Sequence, residues 1–260
     1  MRDQLEDIQQ HLNDGYGRAQ HLNKVELPKR FYKDVGVAPV NGGFTVTLDG
    51  RGVKTPGHKK PVIVPVASLA TAMAAEWSAQ GEFVDATTMP MVRLVNSAVE
   101  SGEEMIPAFR DEVLKFAAGD LLLYRAESPQ ELVALQEQEW DAALVSLARH
   151  FGVSFQPTMG IIHQAQPKAT LDRLAESLAD EGLLILTALV SITGITGSGL
   201  LAIALLHRLT TPDAVWQAAH VDEDYQINLW GEDEEASIRR AKRLVEFNTA
   251  VAVVDALRQE

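Results

Sequence analysis

Residues 182–206 form a run of 25 positions without one charged side chain, long enough to cross a bilayer as a single helix. A chain with such a run either places it in lipid or closes a protein core around it. Gly194, Gly197 and Gly199 interrupt it, and neither flank carries the basic cluster that fixes a membrane span. The run is therefore predicted to be a pair of buried helices, with small residues allowing a close approach or a tight turn. No membrane insertion is expected. The same glycines do not make a phosphate loop, because no lysine follows them, and Ser198 is not a nucleophile elbow, because Thr196 stands where that motif needs glycine.

Most of the chain after Pro65 also reads as helix. Leu69, Met73 and Trp77 recur every four residues and make one stripe, which assigns Trp77 a structural place, and Gly81 is the expected stop. Met89-Pro90 opens a shorter helix with Val92, Val95 and Val99 inward, closed by Gly102. Ser128-Pro129-Gln130-Glu131 has the form of a capping box, with proline at the first helical position. The helix that follows runs to about Phe151 on a stripe of Leu132, Leu135, Trp140, Ala143, Leu144, Leu147 and Phe151, which makes Trp140 core. Pro167 begins another helix with Leu171, Leu174 and Leu178 inward. Thr211-Pro212-Asp213 caps the next, Gly231 is its expected end, and Glu232 to Glu235 place four acids at the start of the last helix.

Strand periodicity is confined to the region before Pro65. Phe44, Val46 and Leu48 alternate with Thr45 and Thr47, and Asp49-Gly50 supplies the positive-φ residues of a tight hairpin. A second strand is expected through Val53 and Thr55, and a third through Pro61-Val62-Ile63-Val64-Pro65. The fold class is thus α+β: a polar tail over residues 1–26, a small β-rich domain with a few helices over 27–102, and a larger all-α domain over 103–260.

Charge and cysteine narrow the function. There is no cysteine, which removes disulfides, thiolate metal sites and cysteine nucleophiles together. The formal net charge of −13 opposes nucleic-acid binding. Residues 24–60 nevertheless hold eight Lys or Arg against three Asp or Glu, which leaves −18 on the rest of the chain. The acidic N-terminus resembles neither a secretory signal nor a transit peptide, so a cytoplasmic location is expected.

One cluster invites chemistry. His220, Asp222, Glu223 and Asp224 lie at spacings that share a helix face. Neither the repeated Glu-x-x-His of a di-iron bundle nor His-Glu-x-x-His of a zinc protease is present. A helical hydrolase or metal enzyme centred on Asp222, Glu223 and Asp224 is the alternative reading, and a small-molecule binding module a third. No catalytic residue, metal ligand or cofactor is assigned. Residues 219–235 carry seven acids and no Lys or Arg, bracketed by Trp216 and Trp230. Aromatic area beside carboxylates suits a protein-binding surface.

Several blocks occur in a characteristic order: Pro28-Lys29-Arg30-Phe31-Tyr32-Lys33; Leu48-Asp49-Gly50-Arg51 with Lys54-Thr55-Pro56; and Glu76-Trp77 with Gln80. Met89-Pro90, Tyr124-Arg125, Gln136 with Trp140-Asp141, and Glu223 with Tyr225-Gln226 and Trp230-Gly231 follow. The series resembles the assembly-chaperone family that handles the alpha subunit of the F-type ATP synthase catalytic head. It departs from the family pattern at Leu123, where a cysteine is expected nearby, and at Ala142, where proline is expected. The resemblance implies a β-rich domain joined to a helical one. It also implies a non-enzymatic role: binding unassembled alpha subunit and masking its subunit interface until beta subunit replaces it. Glu223, Asp224, Tyr225, Gln226 and Trp230 become the expected client-binding residues, with Trp77, Asp49, Gly50 and Trp140 structural. The chain is expected to work as a monomer, without a cofactor.

Overall fold

The computed structural model describes residues 27–258. The polar tail expected over residues 1–26 lies outside the described residues. The chain divides into two compact units. Of the smaller, residues 27–31 and Ala79–Asp85 are joined by main-chain bonds, Arg30 N–H to Glu82 O and Val84 N–H to Pro28 O, each 2.8 Å. Within it the Gln80 side chain accepts the Asp85 N–H at 2.7 Å. The larger unit comprises Tyr32–Ser78 and residues 86–260. It is α+β, with a small N-terminal sheet followed by helices.

The sheet has the order β1 (Val35–Val40), β2 (Gly43–Leu48), β3 (Arg51–Gly52), all antiparallel. Strand β1 is an addition to the sequence reading. Asn41-Gly42 turns the chain so that Val40 faces Gly43 and Val35 faces Leu48. At the second turn Asp49 and Gly50 have φ of 48° and 76°. The Asp49 carboxylate accepts the Lys33 and Asp34 N–H groups at 3.0 and 2.9 Å, and these donors hold its pKa below the usual value. The strands expected through Val53 and Thr55 and through residues 61–65 shrink to single bridges, Lys54 to Pro61 and Phe44 to Val64. Pro56, Pro61 and Pro65 withhold the N–H donors that a continuous ladder needs. Thr45 is buried rather than outward, its hydroxyl donating to Val62 O at 2.7 Å.

Helix α1 (Ala67–Ser78) packs on β1 and β2 with Leu69, Ala70 and Met73 buried, and it stops three residues short of Gly81. Trp77 is half-buried, its ring edge-on to Tyr32 at 5.5 Å, and the Tyr32 hydroxyl donates to Trp77 O at 2.7 Å. From α1, Glu76 accepts the Met91 and Val92 N–H groups at 2.8 Å and so satisfies the start of α2 (Pro90–Ser101), whose own N-cap Met89 offers no acceptor. Helix α3 (Ile106–Ala118) follows.

The 182–206 run is two helices, α6 (Leu183–Thr196) and α7 (Gly199–Leu206), with every residue of α7 buried. Among the described residues no helix is long and apolar enough to cross a membrane. Gly197, at φ 72°, makes the turn, and the Ser198 hydroxyl caps α7 by accepting from Leu201 N–H at 2.9 Å. A Cβ at Gly199 would stand 2.2 Å from Val113 O, so α7 touches the backbone of α3.

Helix α4 (Gln130–Phe151) comes before α5 (Lys168–Ser177), where Leu174 and Leu178 are fully buried. The capping box does not form: Pro129 is the N-cap and makes no side-chain cap, because the helix starts one residue too late for Ser128 to reach it. On α4, Leu135 is exposed and Gln136 takes the buried place beside Trp140. The helix expected from Thr211 to Gly231 breaks into α8 (Pro212–Ala219) and α9 (Val221–Trp230). At the break His220 Nδ1 lies 2.7 Å from Trp216 O, the carbonyl that its own N–H would use in a continuous helix, and that N–H turns to Gln217 O. The last helix, α10 (Glu234–Arg258), lies along α6 and also touches α2. Asp233 caps it by accepting from Ala236 N–H at 2.7 Å.

Candidate functional site

The site is built outward from a buried carboxyl. Asp120, with no exposed surface, accepts from the Ser198 hydroxyl and Leu200 N–H at 2.9 Å each and from Leu122 N–H at 3.2 Å. Burial pushes its pKa up to about 7 against the lowering effect of those donors. It thus locks the start of α7 to the turn Leu121–Leu123, which delivers β4 (Tyr124–Arg125). Strand β4 pairs in parallel with β5 (Thr158–Met159).

Arg125 donates to Gln136 O at 2.9 Å and to Asp141 at 2.5 Å, with its guanidinium 5.2 Å from the Trp140 ring centre. Trp140, 2% exposed, donates its indole N–H to Ala218 O at 2.7 Å. The buried Gln136 amide accepts from Ala126 N–H at 2.8 Å and donates to Asp222 at 2.7 Å. Four residues scattered through the sequence blocks, Arg125, Gln136, Trp140 and Asp141, therefore join β4 and α4 to α8 and the first turn of α9. Between these elements opens a cleft of about 690 Å³, bounded by residues 124–128, Met159–Ile162, Leu132, Gln136 and Asp222.

Helix α9 carries the residues expected to bind a client. Three acids sit in its first turn, where the helix dipole favours them. Glu223 is half-exposed and 3.8 Å from His220 Nε2. Burial lowers the His220 pKa, and its Nε2 has no hydrogen-bond partner among the described residues. Asp224 forms an ion pair with Arg240 of α10, which raises the arginine pKa. Tyr225 is half-buried and Gln226 exposed. Leu229 and Trp230, at 57% and 84% exposure, give the end of the helix an apolar face.

The His220, Asp222, Glu223 and Asp224 side chains do not converge: Asp222 turns to Gln136 and Asp224 to Arg240. Among the described residues no three His, Asp or Glu side chains are grouped to hold a metal ion. The helix carries partly paired carboxylates at its start and exposed apolar groups at its end. Each exposed aliphatic side chain forgoes about 1.5–3 kcal/mol of burial.

The sequence reading gave Asp120 and the Met159–Ile162 segment no place in a site. A lone acid ahead of three leucines was the available signal for the first. Two adjacent isoleucines after Gly160, outside any helical period, were the signal for the second.

A family model described as ATP12 chaperone protein matches residues 29–148. The chain is 26% identical over 220 residues to the mitochondrial protein atp12 of Schizosaccharomyces pombe, covering 80% of this chain and 75% of that one. Its structure is similar to Atu1473 of Agrobacterium tumefaciens, assigned as a chaperone, with a TM-score of 0.86 and 41% identity over 93% of this chain and 90% of that one. It is also similar to Atp12 from Paracoccus denitrificans, with a TM-score of 0.82 and 32% identity over 89% and 99% of the two chains. This α+β fold is that of a chaperone family. The chain belongs to the ATP12 chaperone family.

Proposed function

We propose that this chaperone serves assembly of the F-type ATP synthase catalytic head, holding unassembled alpha subunit and covering its subunit interface until beta subunit takes its place. Family membership supports the assembly role. The observation that carries the binding surface is Trp230, 84% exposed at the end of a helix whose first turn presents Asp222 and Glu223. A large aromatic left in water beside carboxylates is characteristic of interface anchors. In this reading Glu223, Asp224, Tyr225, Gln226 and Trp230 meet the client, as a monomer acting in the cytoplasm without a cofactor. An unassembled subunit presents apolar surface that drives aggregation, and occupying that surface lowers the concentration of the sticky species. Release then follows from competition, since beta subunit needs the covered face.

The test is to mix the purified chain with separately produced alpha and beta subunits and measure complex mass by light scattering after size exclusion. A one-to-one complex with alpha that beta dissolves is expected. No complex with alpha, or an equally tight complex with beta alone, would reject the proposal.

A further inference from the structure

We infer that the cleft between β4, α4 and the Met159–Ile162 turn is a second contact site, which takes an extended protein segment bearing a Lys or Arg between apolar neighbours. The turn is held rather than frayed. Gly160 N–H bonds Arg125 O at 2.9 Å on one side, and His163 Nδ1 lies 2.8 Å from the Tyr124 hydroxyl on the other. Yet Ile161 and Ile162 between those ties are 95% and 79% exposed, and Met159 just before them is 63% exposed. A fixed turn that presents aliphatic side chains to water offers a partner apolar area with little ordering cost.

Charge specifies the rest of the occupant. The cleft's own cation, Arg125, is committed to Asp141 and Gln136, with 11% of its side chain exposed. Two lining carboxylates form no ion pair among the described residues. Asp222 is fixed by the Gln136 amide, and Glu127 lies over Gly160, its Oε1 only 3.0 Å from where a Cβ there would stand. The local balance is therefore two uncompensated negative charges beside an aliphatic edge. A cationic side chain answers the carboxylates, and its apolar neighbours cover Ile161 and Ile162.

The partner's identity as the alpha subunit rests on the proposed function, but the chemistry of the occupant rests on the cleft alone. The experiment separates the two. The full chain, with isotope-labelled Ile and Met methyl groups, is titrated with the capped peptides Leu-Arg-Leu-Ile and Leu-Glu-Leu-Ile. In parallel, alpha-subunit affinity is measured for wild type, Glu127→Gln, and Ile161→Asp combined with Ile162→Asp, each checked for unchanged melting temperature. The arginine peptide should move the Met159, Ile161 and Ile162 methyl signals at concentrations at least tenfold below those needed by the glutamate peptide. The isoleucine pair variant should bind alpha subunit at least tenfold more weakly, and Glu127→Gln several-fold more weakly. If both peptides act alike, or neither moves these methyls, the inference fails. If wild type and the isoleucine variant bind alpha subunit equally, the cleft is no client site although the client reading survives. If wild type does not bind alpha subunit but the arginine peptide moves the cleft methyls, the client reading fails and the cleft's chemistry stands.

Discussion

Asp120 is surrounded by donors and forms no ion pair among the described residues, so its charge is stabilised there by N–H and O–H dipoles while burial opposes it. With its pKa pushed up to about 7, the folded chain keeps a proton that the unfolded chain, near 3.8, has already released. Stability from this group is therefore present at low pH and lost as pH rises from about 4 to about 7, with no further change above. Relative to Asp120→Asn, wild type should lose on the order of 4 kcal/mol across that window. Urea unfolding of both proteins at intervals of pH measures it, and a difference that stays constant with pH would show that the carboxyl does not titrate there. Such a residue is hard to read from sequence because its meaning lies in Ser198 and Leu200, about eighty positions away. Trp140 was legible by contrast, since its neighbours on the stripe lie within the same helix.

Elements were legible where one apolar stripe decides them and illegible where a single side chain does. The paired helices α6 and α7 follow from residues 182–206 because no charge has to be accommodated. The break at His220 does not, since it depends on an imidazole capturing Trp216 O in competition with the backbone. The same limit hid β1, whose Val37 and Val40 are partly exposed and give no alternation. Packing of the helix pair makes a sharp forecast. Gly199→Ala would put a methyl 2.2 Å from Val113 O and 2.7 Å from Ala117 N, neither of which is a flexible side chain, so α7 must move from α3. A loss of about 1–3 kcal/mol is expected. Gly194, five residues earlier near the end of α6, has nothing within 4 Å of its Cβ position, and Gly194→Ala should instead gain about 0.5–1 kcal/mol from helix propensity. Thermal unfolding of the two variants should show opposite signs, and equal destabilisation would contradict the close α3–α7 approach.

Across the whole molecule, charge is divided between a basic N-terminal stretch and an acidic remainder, and that division was fully legible in the sequence. The geometry that turns acids into a surface was not, because sequence cannot say which carboxylates are already engaged. Asp224 is engaged by Arg240 and Asp222 by Gln136, whereas Glu223, 41% exposed, forms no hydrogen bond among the described residues: it lies 3.8 Å from His220 Nε2 and feels Arg240 only through its field. Glu223 is thus the acid on α9 most available to a basic patch on a client. Reversal by Glu223→Lys should weaken alpha-subunit binding by about 2 kcal/mol, roughly thirty-fold, if the contact loses its water. Folding stability should stay within about 0.5 kcal/mol, because among the described residues the carboxylate forms no hydrogen bond and only the long 3.8 Å contact with His220. Glu176→Lys on α5 is the matched control. It also reverses one acid, and it costs only the exposed pair with Arg173, worth a few tenths of a kcal/mol. Calorimetry of both variants with alpha subunit, alongside urea unfolding, separates a local contact from a general effect of net charge. A drop confined to Glu223→Lys places the client on α9. Equal affinities would make Glu223 ordinary surface, and equal losses would mean that the acidic field as a whole, rather than this helix, attracts the partner.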